Sequence, residues 1–347
     1  MGKLKVALIF GGRSPEHEIS VLSASSVYEA ADRDKYEFVP VGISRDGFWV
    51  PPHKARKVLH EGYSDVDEVV NQGEMVRISE SLNFFLEEDF NVVFPLLHGP
   101  NGEDGYLQGF MEMIDLPYVG TGVLSSGLGM DKVFMKKIFA YHSLPQADYL
   151  LYRSDELNDK TQQLEKQIEK KLGYPCFVKP ANMGSSIGIS RVESPDQVTE
   201  ALKLAFKYDD KLVIEENIAG REIECSVLGG RELKASLPGE IKSAHKYYDY
   251  QAKYEDEATE LIIPAPIPED KITELKKLAC EAFRVIDGYG MCRVDFFYNQ
   301  QTGKIYINEL NTIPGFTEYS MYPKLWDVSG LDYSDLIDEL IALALNK

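Results

Sequence analysis

The sequence predicts an α/β protein of two or three domains that opens on a parallel β-sheet. Three observations point there. Apolar strands alternate with helices through the first third, the pattern of βαβ units. The last third is rich in strands and ends in a hairpin followed by a helix. At 347 residues, the chain is too long for one ordinary core.

Leu4 to Phe10 reads as the first strand, ending at Gly11-Gly12. Val21, Ala24, Val27 and Ala30 share a face at helical spacing, which predicts a helix from Ser20 to Ala31. Phe38 to Ile43 and Val92 to Leu97 are further strands, Asp104 to Ile114 a helix, and Tyr118 to Gly120 a short strand. A second unit starts near Leu128. It runs through a helix at Met130 to His142, a strand at Asp148 to Tyr152 and a polar-faced helix at Asp155 to Leu172. Strands at Cys176 to Val178 and Ile187 to Val192 follow, then a helix from Ser194 to Tyr208 with Ser194 as its cap, and a strand at Leu212 to Glu215. Beyond it, Ile223 to Leu228 and Leu233 to Leu237 read as strands. Tyr247 to Glu260 is a polar, tyrosine-rich stretch without period, expected to be a long functional loop. A helix at Pro268 to Val285, strands at Met291 to Tyr298 and Lys304 to Leu310, and a helix at Tyr333 to Leu345 complete the reading. The Asn299 to Gly303 turn joins the last two strands as a hairpin.

The net charge of −19 argues against a nucleic-acid partner, and no apolar run has the length to span a bilayer. The N-terminus lacks a small-residue cleavage site and reads as a strand of the mature protein. Cys176, Cys225, Cys280 and Cys292 have neither metal nor redox spacing, which fits buried thiols in a cytoplasmic protein. The Gly11-Gly12 turn lacks the glycine spacing of a dinucleotide fingerprint.

The hairpin carries the strongest chemical signal. Side-chain alternation puts Arg293 and Asp295 on one face of their strand, and Glu309 and Asn311 on one face of theirs. If the faces coincide, two carboxylates and an amide converge beside a guanidinium, a donor set suited to Mg²⁺ that also binds phosphates. The alternative is a solvated polar face, which the apolar residues Cys292, Val294, Phe296 and Leu310 weigh against. A second signal is Lys179 at the end of a buried strand, followed by Asn182 to Gly188, whose small residues let backbone N–H groups reach phosphate oxygens. Alone it reads equally as a flexible turn; beside the hairpin the phosphate reading is preferred. Glu16 and Glu18 admit two readings, helix-dipole partners or ligands. His98 to Gly105 follows a strand at its carboxyl end, where open α/β sheets bind ligands, or caps a turn. Ile214 to Ile218 by itself reads as a surface linker.

With these residues in view, the chain resembles the D-alanine–D-alanine ligase family of the ATP-grasp superfamily over nearly its whole length. The matching motifs are Gly11 to Ser20, His98 to Gly109, Met130-Asp131-Lys132, Lys179 to Gly188, Tyr248 to Tyr250 with Lys253-Tyr254, Arg293 to Asp295, and Asn308 to Gly315 with Ser320. The Glu16 motif and Lys253-Tyr254 separate it from other ATP-grasp ligases. The resemblance implies a three-domain ATP-grasp architecture. Its parts are a parallel-sheet domain at 1–127, a central subdomain at 128–217 and a catalytic subdomain at 218–347 with a lid at 245–260. It implies a cytoplasmic homodimer that binds ATP, D-alanine and two Mg²⁺, for which Mn²⁺ can substitute.

The resemblance also implies roles. Lys132, Lys179, Ser186 and the lid's Lys253 serve the phosphates, and Glu215, Glu216, Ile218 and Glu222 the adenosine. Asp295, Glu309 and Asn311 hold the metal. Glu16 orients the first ammonium group, His98 and Arg293 lie by the first carboxylate, and Ser320 binds the second, with Met321 beside it. Ser185 and Tyr254 link to Glu16 and pin the lid. Arg293 and the Gly315 N–H are suited to a tetrahedral oxyanion. Tyr254 favours an amine over a hydroxyl as the second substrate.

Overall fold

The computed structural model describes residues 2–69, 84–85, 87–156, 161–242 and 260–347. Three sheets follow one another along the chain. The first contains β1 (Leu4–Gly11), β2 (Tyr36–Ile43), β3 (Trp49–Val50) and β4 (Val92–Pro95), in the order β3-β2-β1-β4. β1 pairs in parallel with β2 and β4, as expected, and β3 adds an antiparallel edge. Helices α1 (His17–Ala30) and α2 (Pro52–Glu61) cover it. α1 starts before Ser20, because the Glu16 carbonyl already accepts the Ser20 N–H at 3.0 Å and the polar first turn carries no apolar period. α2 is an unexpected helix. Only Ala55, Val58 and Leu59 are buried among its charged residues, but Pro52 opens it and Gly62, in the left-handed region, ends it. The expected strand at Tyr118 is a single parallel bridge to Val93.

Helices α3 (Tyr106–Met113), α4 (Val123–Met130) and α5 (Lys132–Tyr141) lead to the second sheet. The helix expected over Met130 to His142 is α5, and α4, just ahead of it, was not expected. Asp131 is extended and its Oδ1 accepts the Val133 and Phe134 N–H groups at 3.0 and 3.1 Å, a cap worth about 1 kcal/mol. The break places Lys132 at the first position of α5. The second sheet is antiparallel, with β5 (Tyr149–Arg153), β6 (Cys176–Pro180), β7 (Ser190–Val192) and β8 (Lys211–Glu216) in the order β5-β8-β6-β7. α6 (Thr161–Lys171) and α7 (Val198–Ala205) bury Leu164, Ile168, Val198 and Leu202 against Cys176, Val178 and Ile214. α7 is shorter than expected because Pro195–Gln197 forms a 3-10 turn. The Ser194 hydroxyl donates to Asp196 at 2.5 Å instead of capping the helix.

The third sheet contains β9 (Arg221–Gly229), β10 (Leu233–Ala235), β11 (Gly239–Lys242), β12 (Glu260–Ile262), β13 (Gly290–Asn299) and β14 (Lys304–Asn311). Its path is β12-β11-β9-β13-β14, with β10 beside β9. α8 (Glu269–Val285) packs Leu275, Ala279, Ala282 and Phe283 onto one face. The expected loop from Tyr247 lies outside the described residues up to 259, and Glu260 opens β12.

Two helices close the chain, α9 (Met321–Val328), which the sequence reading missed, and α10 (Tyr333–Leu345), which it placed. Tyr322, Trp326, Leu336 and Leu340 join a core shared with Phe10, Val21 and Phe94 of the first sheet. One continuous core therefore joins the first and third sheets. It holds the loop 312–320 against the carboxyl ends of β1 and β4, where the cavity lies.

Candidate active site

A cavity of about 450 Å³ opens between the three sheets. Its walls include Glu16 and His98 from the first unit, Lys132 and Ser185 from the second, and Arg293, Glu309, Asn311, Gly315, Ser320 and Met321 from the third. Ten of the proposed site residues, scattered through the sequence, thus converge on one space.

The hairpin faces coincide. Asp295 pairs with Glu309 and Arg293 with Asn311, so all four side chains lie on one face. Arg293 Nε and Nη2 donate to Asp295 Oδ1 and Oδ2 at 2.7 Å each, and Asn311 Nδ2 donates to Oδ2 at 3.0 Å. Three of the roughly four acceptor positions of this carboxylate are thereby filled, which leaves room for another partner. Just past Asp295 the ladder skips Asn308, since Phe296 pairs with Ile307. Such a bulge re-aims side chains. Here Asn308 Oδ1 accepts from Lys179 at 3.4 Å, and the next residue, Glu309, lies 3.5 Å from Lys132.

A buried ionic cluster stands behind the hairpin. Lys136 Nζ lies 2.8 Å from Glu215 Oε1, and Lys179 Nζ lies 2.7 Å from Oε2. The Lys136 side chain is 1% exposed and that of Glu215 5%. Burial alone would raise the Glu215 carboxyl, but the two ammonium groups pull it down to about 2. Burial also works against the Lys179 ammonium, and Glu215, backed by Glu309 and Glu222, outweighs it and raises the pKa. Lys136 goes the other way. Its deeper burial dominates, and Lys179 and Lys132 repel it. Two cations thus share one buried carboxylate, with Glu309 and Glu222 adding negative charge near Lys179.

The Asn182 to Gly188 loop lies beside the cavity, which Met183, Gly184 and Ser185 line. Lys132 Nζ donates to the Met183 carbonyl at 2.8 Å. Ser185 and Ser186 both adopt left-handed backbone, φ +49° and +58°, a conformation that costs about 1–3 kcal/mol for such residues and clusters at functional sites. Ser185 Oγ is buried and has no hydrogen-bond partner among the described residues. Glu16 sits at the start of α1 without capping it. Glu16 Oε2 lies between two glycines: a Cβ on Gly99, whose φ is +72°, would stand 3.3 Å from it, and a Cβ on Gly184 would make an ordinary contact at 3.4 Å.

On the far wall, Ser320 Oγ accepts the Thr317 N–H at 3.1 Å and lies 2.8 Å from Thr317 Oγ1. His98 Nδ1 lies 2.8 Å from the Ile313 carbonyl, and its Nε2 lies 3.3 Å from Ser23 Oγ. In this structure His98 therefore holds a loop instead of projecting an unused nitrogen. The Glu216 carboxylate accepts the Asp148 N–H at 2.8 Å, and its own N–H donates to the Asp148 carbonyl at 3.0 Å. Glu222 lies on β9 beside Ile241 and Phe297, and Ile218 lies in the turn before it. Lys253 and Tyr254 lie outside the described residues.

Three site residues escaped the sequence reading. Glu224 lines the cavity and its Oε2 lies 3.1 Å from Arg293 Nε. Its signal was present, because Glu222, Glu224 and Ser226 alternate with Ile223, Cys225 and Val227. Lys136 follows Lys132 at helical i,i+4 spacing. Glu103 accepts the Gly99 and Ile313 N–H groups at 2.8 Å each, and only the fold brings Ile313 to it.

Comparison with known proteins finds relatives along the whole chain. The model for the D-ala D-ala ligase N-terminus matches residues 5–121, and that for the C-terminus matches residues 138–342. The D-alanine–D-alanine ligase of Halothermothrix orenii is 52% identical over 99% of both chains. That of Geobacillus thermodenitrificans is 47% identical over 99% of this chain and 96% of its own. Among solved structures, the VanG D-Ala:D-Ser ligase of Enterococcus faecalis superposes with a TM-score of 0.86 at 34% identity, covering 99% of this chain and 100% of its own. The D-alanine–D-alanine ligase of Coxiella burnetii gives 0.81 at 32%, covering 100% and 95%. Both family models, matched in order along most of the chain, together with relatives 47–52% identical over nearly its full length, establish that this protein belongs to the D-alanine–D-alanine ligase family.

Proposed function

We propose that the enzyme joins two D-alanine molecules into D-alanyl-D-alanine for cell-wall synthesis, at the expense of ATP. The convergence of Lys132, Arg293, Glu309 and Gly315 with Glu16 and Ser320 on one cavity carries this reading. Lys132 and Lys179 receive the phosphates, with the left-handed Ser185-Ser186 backbone beside them. Glu215 fixes Lys179; Glu216, Ile218 and Glu222 border the adenosine. Glu16 takes the ammonium group of the first D-alanine and Arg293 its carboxylate, with His98 bracing the wall. A carboxylate oxygen of that D-alanine attacks the γ-phosphorus, the bond to the β-phosphate breaks, and ADP leaves an acyl phosphate behind. Little covalent help is needed, so alignment and charge neutralisation dominate. Ser320 holds the carboxylate of the second D-alanine, and the buried Met321 faces its methyl group. Its amine attacks the acyl carbon, and Arg293 and the Gly315 N–H stabilise the oxyanion.

Asp295, Glu309 and Asn311 would hold two Mg²⁺, with Mn²⁺ as a substitute. The donor set fits, since it presents two carboxylates and an amide on one face with an acceptor position of Asp295 still open. Among the described residues no group of three or more His, Cys, Asp or Glu forms a metal site, which suits a cation completed by phosphate oxygens. When bound, the cation neutralises charge on the phosphates. Ser185, whose hydroxyl has no hydrogen-bond partner among the described residues, is the anchor for Tyr254 and through it for Glu16, and Lys253 joins the phosphates from the same segment.

The division at 127 and 217 agrees with three sheets at 4–95, 149–216 and 221–311, although α4 runs through residue 127. We assign a homodimer, supported by exposed Tyr106 and Met113 on α3 beside Leu124 on α4. Four unpaired cysteines suit a reducing cytoplasm. Among the described residues no helix is long and apolar enough to cross a membrane. Phosphate release assayed with D-alanine, L-alanine and D-lactate in turn, with products identified by mass, tests the reaction. Turnover confined to D-alanine, yielding the dipeptide, is expected; equal turnover with L-alanine would overturn the assignment.

A further inference from the structure

We infer that Glu103 is a positioning residue for the peptide-forming half-reaction, acting through the loop that carries Gly315; this rests on the oxyanion role given above to the Gly315 N–H. The Ile313 peptide is gripped at both ends by the first sheet's loops. Its N–H donates to Glu103 Oε1 at 2.8 Å, and its carbonyl accepts from His98 Nδ1 at 2.8 Å. The other Glu103 oxygen accepts the Gly99 N–H at 2.8 Å, which ties the jaw to its own loop. Three residues on, the Phe316 N–H donates to Ser23 Oγ at 3.2 Å. With Nδ1 donating, His98 Nε2 accepts from the Ser23 hydroxyl, so Glu103 and the His98–Ser23 pair hold the N–H and the carbonyl of the same residue, Ile313.

Follow the N–H groups along this loop. Those of Ile313, Phe316 and Thr317 donate to Glu103, Ser23 and Ser320, and Pro314 has none. Of the four N–H groups in residues 313–317, only that of Gly315 has no partner among the described residues, and Gly315 lines the cavity. A Cβ at Gly315 would come 3.1 Å from Ser320 Oγ, so the loop is tight against the second-substrate side. The clamp fixes both flanks of the one unpaired donor. All of its fixing groups come from the first sheet's unit, whereas the phosphate machinery sits on the second and third.

The consequence differs for the two half-reactions. In the second, the amine nitrogen bonds to the acyl carbon and the carbonyl electron pair moves to oxygen. Its return breaks the C–O bond to phosphate, which leaves with that pair. Of the two protons lost from the ammonium group, one goes to the departing phosphate and one to solvent. The oxyanion needs Gly315 in place; transfer of the γ-phosphoryl group does not. Misplacing a preorganised donor by about 1 Å costs on the order of 10²-fold.

The test is Glu103→Gln in the full-length enzyme, with Ser23→Ala as a second, milder variant and thermal unfolding as the check on folding. A Gln side chain can accept only one of the two N–H groups. Phosphate and dipeptide are counted in the same reaction. Expected is a fall of about 10- to 100-fold in dipeptide formation, with ATP KM unchanged and more than one phosphate released per dipeptide as the stranded acyl phosphate hydrolyses. A ratio held at one to one in both folded variants overturns the clamp while leaving the ligase reading intact. If Glu103→Gln does not fold, the ratio in Ser23→Ala decides. A wild-type enzyme that forms no dipeptide would instead refute the ligase reading itself.

Discussion

Replacing Glu215 by Gln removes the carboxylate that Lys136 and Lys179 share, which they approach at 2.8 and 2.7 Å. Two ammonium groups then face a neutral amide in a site almost closed to water. Breaking a buried pair by removing one partner costs about 3–5 kcal/mol, because the remaining charge is uncompensated. The depression of the Glu215 carboxyl by the two ammonium groups points the same way. Its pKa falls from 4.5 to about 2, and at 1.36 kcal/mol per unit this corresponds to about 3 kcal/mol. Lys136→Met should cost less, since Lys179 still neutralises Glu215. Urea unfolding of both variants and the wild type measures the difference. An E215Q loss below about 1 kcal/mol, or a larger loss for K136M than for E215Q, would refute the view that the carboxylate holds the two lysines in place.

Glu309→Gln should abolish turnover while unfolding as the wild type does, read by phosphate release and circular dichroism; near-normal activity would remove Glu309 from the metal set. Tyr254→Phe should raise the use of D-lactate relative to D-alanine, measured by competing the two substrates; an unchanged ratio would remove Tyr254 as the selector. Glu215 has a depressed folded-state pKa, so its stabilisation is complete above pH 4.5 and is lost as pH falls toward about 2. Across that window, stability of the wild type should fall more steeply than that of Glu215→Gln, and equal slopes would show that Glu215 is not held ionised.

Much of the site was legible because its signals are local. Strand alternation placed Arg293, Asp295, Glu309 and Asn311 on shared faces, and the register joined those faces. Lys179 announced itself by ending an apolar strand before a loop of small residues. The remainder depends on contacts distant in sequence. Glu103 reads as one more acid in a polar loop until the fold brings Ile313, 210 residues away, onto its carboxylate. The skipped residue Asn308 arises from a bulge that no spacing rule announces. Lys136 was passed over because a lysine in a helix usually faces water, and only Glu215 on a neighbouring strand makes its burial tolerable. Among the elements, α2 and α9 were missed because their apolar residues are few or are interrupted by Pro323, and the shared core with α10 could not be read from periodicity at all.

The central claim is that the hairpin carboxylates hold divalent cation against the terminal phosphates of the nucleotide. Calorimetric titration of ADP into the wild type and into the double variant Asp295→Asn/Glu309→Gln, each with and without Mg²⁺, tests it most directly. Mg²⁺ should tighten ADP binding in the wild type and leave the double variant unaffected, with metal-free affinity similar in both. A Mg²⁺-dependent gain that survives loss of both carboxylates would place the cation elsewhere and contradict the assignment.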